Sequence, residues 1–487
     1  MQAPTKTPSL PLSLAPLAVL VTLLAINVAV FGDSATLGPN QIALLAAALF
    51  CGLIGRTVLR IPYASLERGA LHSIGLSMQA NLILLCVGGL IGLWILAGIV
   101  PTLVYYAITL IRPSLFPLAA CLSCSLVSVA IGSSWSTMGT LGVALMAAGQ
   151  ALGYPLPVVA GAVISGAYFG DKLSPLSDTT NLAPAVSGTD LFTHVRHLLY
   201  STVPAYALAL IGFAIAGAWY GGDAREADQI RGALDVIEAS FHIGPHTLIA
   251  PAAVLALIVL RMPALPSLIA GLFLGAGEAL LFQRHLLFPD SDAGLSQAYA
   301  TLLNTAVSGF QSATGDPMID DLFNKGGMAS MLNTIFLILM AMVFGGVMEA
   351  TGMLHALASG ILRLVRGAGS LIAATIGTCM LFNITASEQY LSILVPGRMF
   401  RESYAARGLA PQNLSRALED GGTVTSVLVP WNTCGAFAAT VLGVGAWAYL
   451  PWCFFNLLCP VVGIALALMN LTIRRVEDGG DETGADA

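Results

Sequence analysis

The stretch GAYFGDKLSPLSDTTNLAP, residues 166–184, decides how the rest of the chain is read. It sets Asp171, Lys172 and Asp178 in apolar surroundings and interrupts them with Pro175 and Pro184. Proline lacks a backbone donor and clashes with the preceding turn, and Gly170 adds freedom, so an uninterrupted helix through this run is not expected. Unwound backbone there exposes carbonyls. Each Asp or Lys at the centre of a membrane helix costs about 2.5 to 3.5 kcal/mol, so the three facing lipid would cost roughly 8 to 10 kcal/mol. They must face protein or water.

Lipid is the relevant medium because the 487 residues are 56% hydrophobic and 9% charged, with a mean hydropathy of +0.83. A soluble chain is about a quarter charged. A bilayer core takes roughly 20 apolar residues per helix, and runs of that order occur at 14–31, 41–55, 80–111, 155–188, 198–219, 246–260, 263–283, 330–350, 418–443 and 445–472. Two further stretches, 114–149 and 367–397, hold two shorter helices each around polar tips, Ser133–Thr137 and Asn383–Thr385, and read as re-entrant hairpins. The expected fold is an all-α polytopic membrane protein of about ten transmembrane helices plus two hairpins. Lys6 precedes an apolar run without a small-residue cleavage site, so that run is expected to stay as the first span. The tail 477–486 is acidic and Gly-rich, contributes to the net charge of -6 and reads as disordered.

Arginine distribution gives the expected sidedness, since short cytoplasmic loops collect Lys and Arg. With the N-terminus inside, Arg56, Arg60, Arg68, Arg196, Arg261, Arg363, Arg366, Arg398, Arg401, Arg407, Arg416, Arg474 and Arg475 all fall inside. The acidic loops 220–244 and 284–329 fall outside, and with them Arg112, Arg225, Arg231, Arg284 and Lys325. This threading divides the chain into a first half at 1–220, an external loop at 221–245, a second half at 246–475 and the tail at 476–487. Each half has five spans, an odd number, so the second enters from the opposite face. Such inverted repeats with broken helices are a feature of secondary transporters.

Carboxylate, hydroxyl and carbonyl oxygens are the ligands a hard cation takes, and the first break supplies all three: Asp171, Ser174, Ser177, Asp178, Thr179, Thr180 and Asn181. Asp178 is the expected direct ligand because Ser177, Thr179, Thr180 and Asn181 crowd oxygens beside it. The second half repeats the ingredients in Glu419, Asp420, Gly421, Gly422, Thr423 and then Pro430, Trp431, Asn432, Thr433. Hairpin tips add Ser133, Ser134, Thr137 and Thr140 from one side and Asn383, Thr385, Ser387 and Glu388 from the other. Lys172 has two readings, a partner acid or an interface. Glu278 and Glu349 stand near span ends and read as interfacial, and the seven histidines read mostly as loop or interface residues. Cys121 and Cys124 form a C-x-x-C with no second ligand pair nearby, so both read as small buried side chains.

No paired metal-binding histidines and no nucleophile, base and orienter set are present, so an embedded enzyme is not expected. A Walker-type phosphate loop is also missing, so a gradient rather than ATP must drive any transport. No cofactor and no nucleic-acid partner are expected.

Five strings resemble the signature blocks of NhaC-type sodium/proton antiporters: GSSWSTMGTLGVALM (132–146), GAYFGDKLSPLSDTTNLAP (166–184), GTDLFTHVRHLLYSTVPA (188–205), EQYLSILVPGRMF (388–400) and LEDGGTVTSVLVPWNTCGAF (418–437). The resemblance runs from about residue 40 to 470. It implies a bacterial inner-membrane exchanger in the ion-transporter superfamily and does not itself identify the substrate; exchange of Na+ for H+ at the polar positions above is the expected activity. Relatives also exchange malate for lactate, so a small organic acid carried with Na+ or H+ is the alternative. That alternative needs a fixed cation for a substrate carboxylate, and Lys172 and Arg398 are the candidates near the motifs. The chain departs from the family pattern at Ser133, Gly422 and Val427, where Thr, Ser and Pro are frequent.

The threading predicts that cysteines introduced at 220–244 and 284–329 react with an impermeant reagent added from the periplasmic side. Protection of both loops would overturn the topology and the inverted repeat together.

Overall fold

Backbone polar groups in hydrocarbon have no partner but the chain itself, so apolar runs coil into helices. A computed structural model describes residues 8–31, 34–35, 37–221, 227–260, 262–288, 294–363 and 365–476, with the backbone only at 227–230 and 318. Lys6, Arg225, Arg261 and the acidic tail lie outside the described residues. The first part of the chain forms α1 (Leu10–Phe31), α2 (Pro39–Thr57), α3 (Tyr63–Leu96), α4 (Ile99–Leu110), α5 (Phe116–Ile131), α6 (Ser134–Thr137), α7 (Val143–Ala151), α8 (Leu156–Leu173), α9 (Asp178–Ser187) and α10 (Leu191–Tyr220). A middle section follows as α11 (Ala227–Ser240), α12 (Ile249–Val259), α13 (Ala264–Phe282), α14 (Arg284–Leu287), α15 (Leu295–Ser308) and α16 (Pro317–Phe323). The last part forms α17 (Leu332–Ala350), α18 (Met353–Leu362), α19 (Ala368–Thr385), α20 (Gln389–Ala405), α21 (Pro411–Leu418), α22 (Thr433–Leu442), α23 (Ala446–Tyr449) and α24 (Phe454–Leu468). Among the described residues eight helices are long and apolar enough to cross a membrane, or eleven when each of three bent pairs counts as one span.

The two polar-tipped stretches do form helix pairs, α5 with α6–α7 and α19 with α20, turning at Gly132–Ser133 and Ser387–Glu388. These turns are built alike. Gly132 has φ 74° and Ser387 φ 59°, and each is followed by an extended N-cap residue, Ser133 or Glu388. Glycine enters that left-handed region freely, whereas a serine there is uncommon and marks a position held by its surroundings. The correspondence continues at Leu156 and Pro411, which open α8 and α21, and at Ser177 and Asn432, which cap α9 and α22. It ends with Gly188 and Gly443, left-handed after both short helices. In each of these pairs, the tips included, the second residue lies 255 positions after the first, a register that the polar composition of the two breaks did not disclose.

Other elements differ from the sequence reading. The segments read as external loops are largely helical, in α11 and α14–α16. The 80–111 run is part of a 34-residue α3 that begins at Tyr63 and breaks at Gly98 before α4. Unwinding is also shorter than expected, because Gly170–Leu173 completes α8 and only 174–177 leave the helix. In the second half the residues Glu419–Thr423 form a π-turn, and the break comes later, between 424 and 432. Glu278, read as interfacial, is buried and accepts the Ala250 N–H at 2.7 Å, joining α13 to the start of α12.

The site is positioned by two close-packed groups. In one, α17 lies along α2 and α3 and α13 lies along α3, where the Trp94 indole donates to the Gly271 carbonyl at 3.0 Å. In the other, α5 and α8 approach so closely that a Cβ at Gly166 would stand 2.2 Å from the Cys121 carbonyl oxygen, and one at Gly170 2.6 Å from that of Ser125. Gly166 and Gly170 are four apart, the small-residue spacing that lets membrane helices touch backbone to backbone. Gly166→Val should therefore lose about 1 to 3 kcal/mol or fail to fold, seen as a lower unfolding midpoint in detergent. Gly377→Ala, where nothing lies within 4 Å, should leave the midpoint unchanged or raised.

Candidate functional site

Asp171 occupies the last turn of α8, facing the tip of the first hairpin. Ser133 caps that tip by accepting the Ser136 N–H at 3.2 Å, and the Thr137 hydroxyl donates to the Ser133 carbonyl at 2.9 Å. This turn directs both donors of Ser134 at Asp171: its N–H at 3.1 Å and its hydroxyl at 2.6 Å meet one carboxylate oxygen. Asp171 is buried. The break after it is closed by side chains, with Thr180 donating at 3.1 Å to the carbonyls of both Asp171 and Lys172. Asn181 donates to the carbonyls of Pro175 (2.9 Å) and Ser177 (2.7 Å), and the Ser174 hydroxyl donates to that of Val129 at 2.8 Å. Ser177 caps α9 and lies 3.1 Å from the Thr179 hydroxyl. Asp178 is placed differently: it is exposed in the first turn of α9, where Tyr390 of the second hairpin donates to it at 3.3 Å.

In the second half Asn383 does what Thr180 and Asn181 do in the first. Its amide donates to the Gly422 carbonyl at 2.7 Å, the Gly421 carbonyl at 3.3 Å and the Thr425 hydroxyl at 3.0 Å. Asn432 donates to both oxygens of Asn383 at 3.2 Å and accepts the Cys434 N–H at 3.0 Å, capping α22. Thr433 donates its N–H to the Ser387 carbonyl at 3.0 Å, so the second break is tied to the second tip. Glu388 is buried and accepts the Leu391 N–H at 2.9 Å as the N-cap of α20. Thr423 is fully buried in the π-turn and its hydroxyl makes no hydrogen bond of ordinary geometry.

Side-chain contacts join the halves. Lys172 forms an ion pair with Asp420, both fully buried, which decides between its two readings. Ser201 of α10 donates to the same Asp420 oxygen at 2.8 Å, and Cys459 of α24 lies 3.1 Å from the Lys172 ammonium. Trp135 of the first tip stacks on Phe437 of α22 at 4.1 Å, and the Tyr168 and Ser426 hydroxyls are 3.5 Å apart. These contacts link the two breaks to each other and to the hairpin tips, and the Ser136 hydroxyl is buried there without a hydrogen-bond partner. The geometry keeps Asp178 and Asn181 at the exposed edge.

Ser201, Tyr168 and Cys459 were missed because each is a single weakly polar residue within an apolar helix. Arg416 was placed in an inside loop by its charge, yet it is fully buried in α21, donating to Thr472 at 2.8 Å. The sequence pattern pointed the other way, since Arg416 shares the polar side of α21 with Asn413 and Ser415, yet all three are buried.

The profile described as the Na+/H+ antiporter family matches residues 166–471, from the first break to the end of the second half. The chain is 37% identical over 446 residues, 92% of its length and 93% of the other, to a protein named Na+/H+ antiporter NhaC from Alkalihalophilus pseudofirmus. It is 38% identical to the malate-2H+/Na+-lactate antiporter of Bacillus subtilis, covering 88% of each. An arginine/ornithine antiporter, ArcD of Halobacterium salinarum, is 35% identical over 99% of the chain and 97% of its own length. With identities above a third sustained across nearly the whole length and a family profile covering both broken helices, this multi-pass membrane protein belongs to the Na+/H+ antiporter family.

Proposed function

We propose that the chain exchanges Na+ for H+ across the bacterial inner membrane by alternating access, with both termini in the cytoplasm and the two halves as inverted repeats. The observation that carries this reading is the buried Asp171 carboxylate, held by Ser134 across a hairpin tip and bordered by the hydroxyl and carbonyl oxygens of an interrupted helix. Its place at the C-terminal end of α8 adds the negative pole of the helix, which favours a cation. Antiport needs two ions to compete for one place, and a single carboxylate provides it: Na+ binds the ionised form and H+ the neutral one, so each expels the other by linkage. Ser134, Ser136, Ser177 and Thr180 are the oxygens nearest in the chain of contacts to complete the Na+ shell. Asp178, at the exposed edge, stands where an arriving cation meets a first carboxylate.

The relatives' names include exchange of organic acids and amino acids as well as cations. An organic-acid substrate would need a free fixed cation; Lys172 is neutralised by Asp420 and Arg398 is exposed on α20, which leaves Arg416, fully buried in α21 and bonded to Thr472. The surplus of carboxylates and hydroxyls at the breaks favours the bare cation.

Proteoliposomes carrying an internal pH dye should alkalinise when Na+ is added against an outward proton load, with no ATP and without malate or lactate. A requirement for either acid would replace this reading with the organic-acid one. Asp171→Asn should abolish exchange while inserting normally. Ser134→Ala removes a hydrogen bond to a charged group worth about 1.5 to 3 kcal/mol, so it should weaken apparent Na+ affinity roughly tenfold to a hundredfold. Exchange by Asp171→Asn and Asp178→Asn at wild-type rate and pH profile would show that the site lies elsewhere.

A further inference from the structure

Away from the exchange site, the chain gathers three histidines and an arginine where α13 leaves its apolar run. A cavity of about 460 Å³ there is lined by His242, His246, Leu281, Phe282, Arg284 and His285. No carboxylate lines it among the described residues. The cluster joins two segments some forty residues apart, and Gln283 holds them. Gln283 is fully buried; its amide donates to the carbonyls of His242 (3.0 Å) and Ala97 (3.3 Å) and accepts the His242 N–H at 3.1 Å. His285 donates Nε2–H to the Ser240 carbonyl at 3.1 Å, since a carbonyl can only accept. Its ring stacks on that of His242 at 4.8 Å, and His246 packs on Phe282 at 4.5 Å. The side chains are therefore set in place before any ligand arrives.

Two features of the surroundings say what the ligand is. First, Leu281 is 70% and Phe273 68% exposed on α13, a surface for hydrocarbon that ends one turn before Arg284. A charged group at the end of a membrane helix stands at the depth of lipid headgroups. Second, a neighbouring cavity of about 570 Å³ meets the first at His285 and carries, beside apolar walls such as Leu96, Phe241 and Phe310, a set of uncharged polar groups that includes Ser240, Asn304 and Ser312. Arginine and imidazole N–H groups suit a phosphate, and hydroxyls and amides suit a polyol. We propose that this corner binds an acidic glycerophospholipid, with its phosphate among Arg284, His242 and His246, its glycerol headgroup against the hydroxyls and amides of the adjoining cavity and its acyl chains along α13.

The test uses the full chain, purified in detergent and stripped of lipid, with phosphatidylglycerol, phosphatidylcholine and inorganic phosphate added separately. Native mass spectrometry should show phosphatidylglycerol retained in preference to phosphatidylcholine, and the unfolding midpoint should rise with it. Arg284→Gln together with His246→Gln should weaken retention about tenfold or more, the loss of the arginine's charge-assisted bond and of one imidazole donor. Arg363→Gln, an exposed arginine elsewhere, should change nothing. Equal retention by the double variant and the wild type would overturn the proposal. Inorganic phosphate raising the midpoint as much as the lipid would overturn it in favour of a free-anion site. Both variants can be checked for folding by their unfolding midpoint without lipid.

Discussion

The ion pair between Lys172 and Asp420 is the interaction on which the rest of the structure depends. Neither residue has any exposure, and an isolated charge in such a place costs several kcal/mol even after relaxation. Each is tolerable because the other is there, and the other comes from the opposite half of the chain. The pair therefore fixes α8 against the π-turn that follows α21, and with it the distance between the two breaks. Asp171, next to Lys172, and Glu419, next to Asp420, are carried into the same volume by that one contact.

A second constraint acts on the backbone. Interrupted helices leave carbonyls and N–H groups that hydrocarbon cannot satisfy, and they survive only where protein answers them. At the first break the answer comes from Thr180, Asn181 and Ser177, all within the next ten residues. At the second it comes from a distance. Asn456 donates to the Val424 carbonyl at 2.8 Å, Tyr449 to that of Val427 at 2.8 Å, and Asn383 to those of Gly421 and Gly422. One break is thus locally built and the other is completed by α19, α23 and α24, so side chains with no ion to bind are still needed for the site to exist.

Composition and proline placement made the membrane fold, the two helix pairs and the two interruptions legible, because each is a local property: apolar length, a missing donor, a polar tip. What was not legible is long-range. Lys172 had two readings of equal weight until Asp420, 248 positions on, was placed beside it. The ranking of Asp178 over Asp171 followed the density of oxygen side chains along the sequence, but burial turns on helical phase, and the first turn of α9 leaves Asp178 outside while the last turn of α8 takes Asp171 in. Charge alone put Arg416 in a loop, whereas it stands fully buried in α21 with its guanidinium bonded to Thr472. The 255-residue register is likewise invisible in residue types, since it pairs Gly132 with Ser387 and Ser133 with Glu388.

The most direct test is a double-mutant cycle on Lys172 and Asp420, measured as unfolding free energy in mixed micelles. Lys172→Met and Asp420→Leu alone should each lose about 3 to 5 kcal/mol, because each strands a buried charge, and the double variant should lose far less than their sum. Losses that simply add, or single variants as stable as the wild type, would contradict the claim that this pair holds the two halves of the site together.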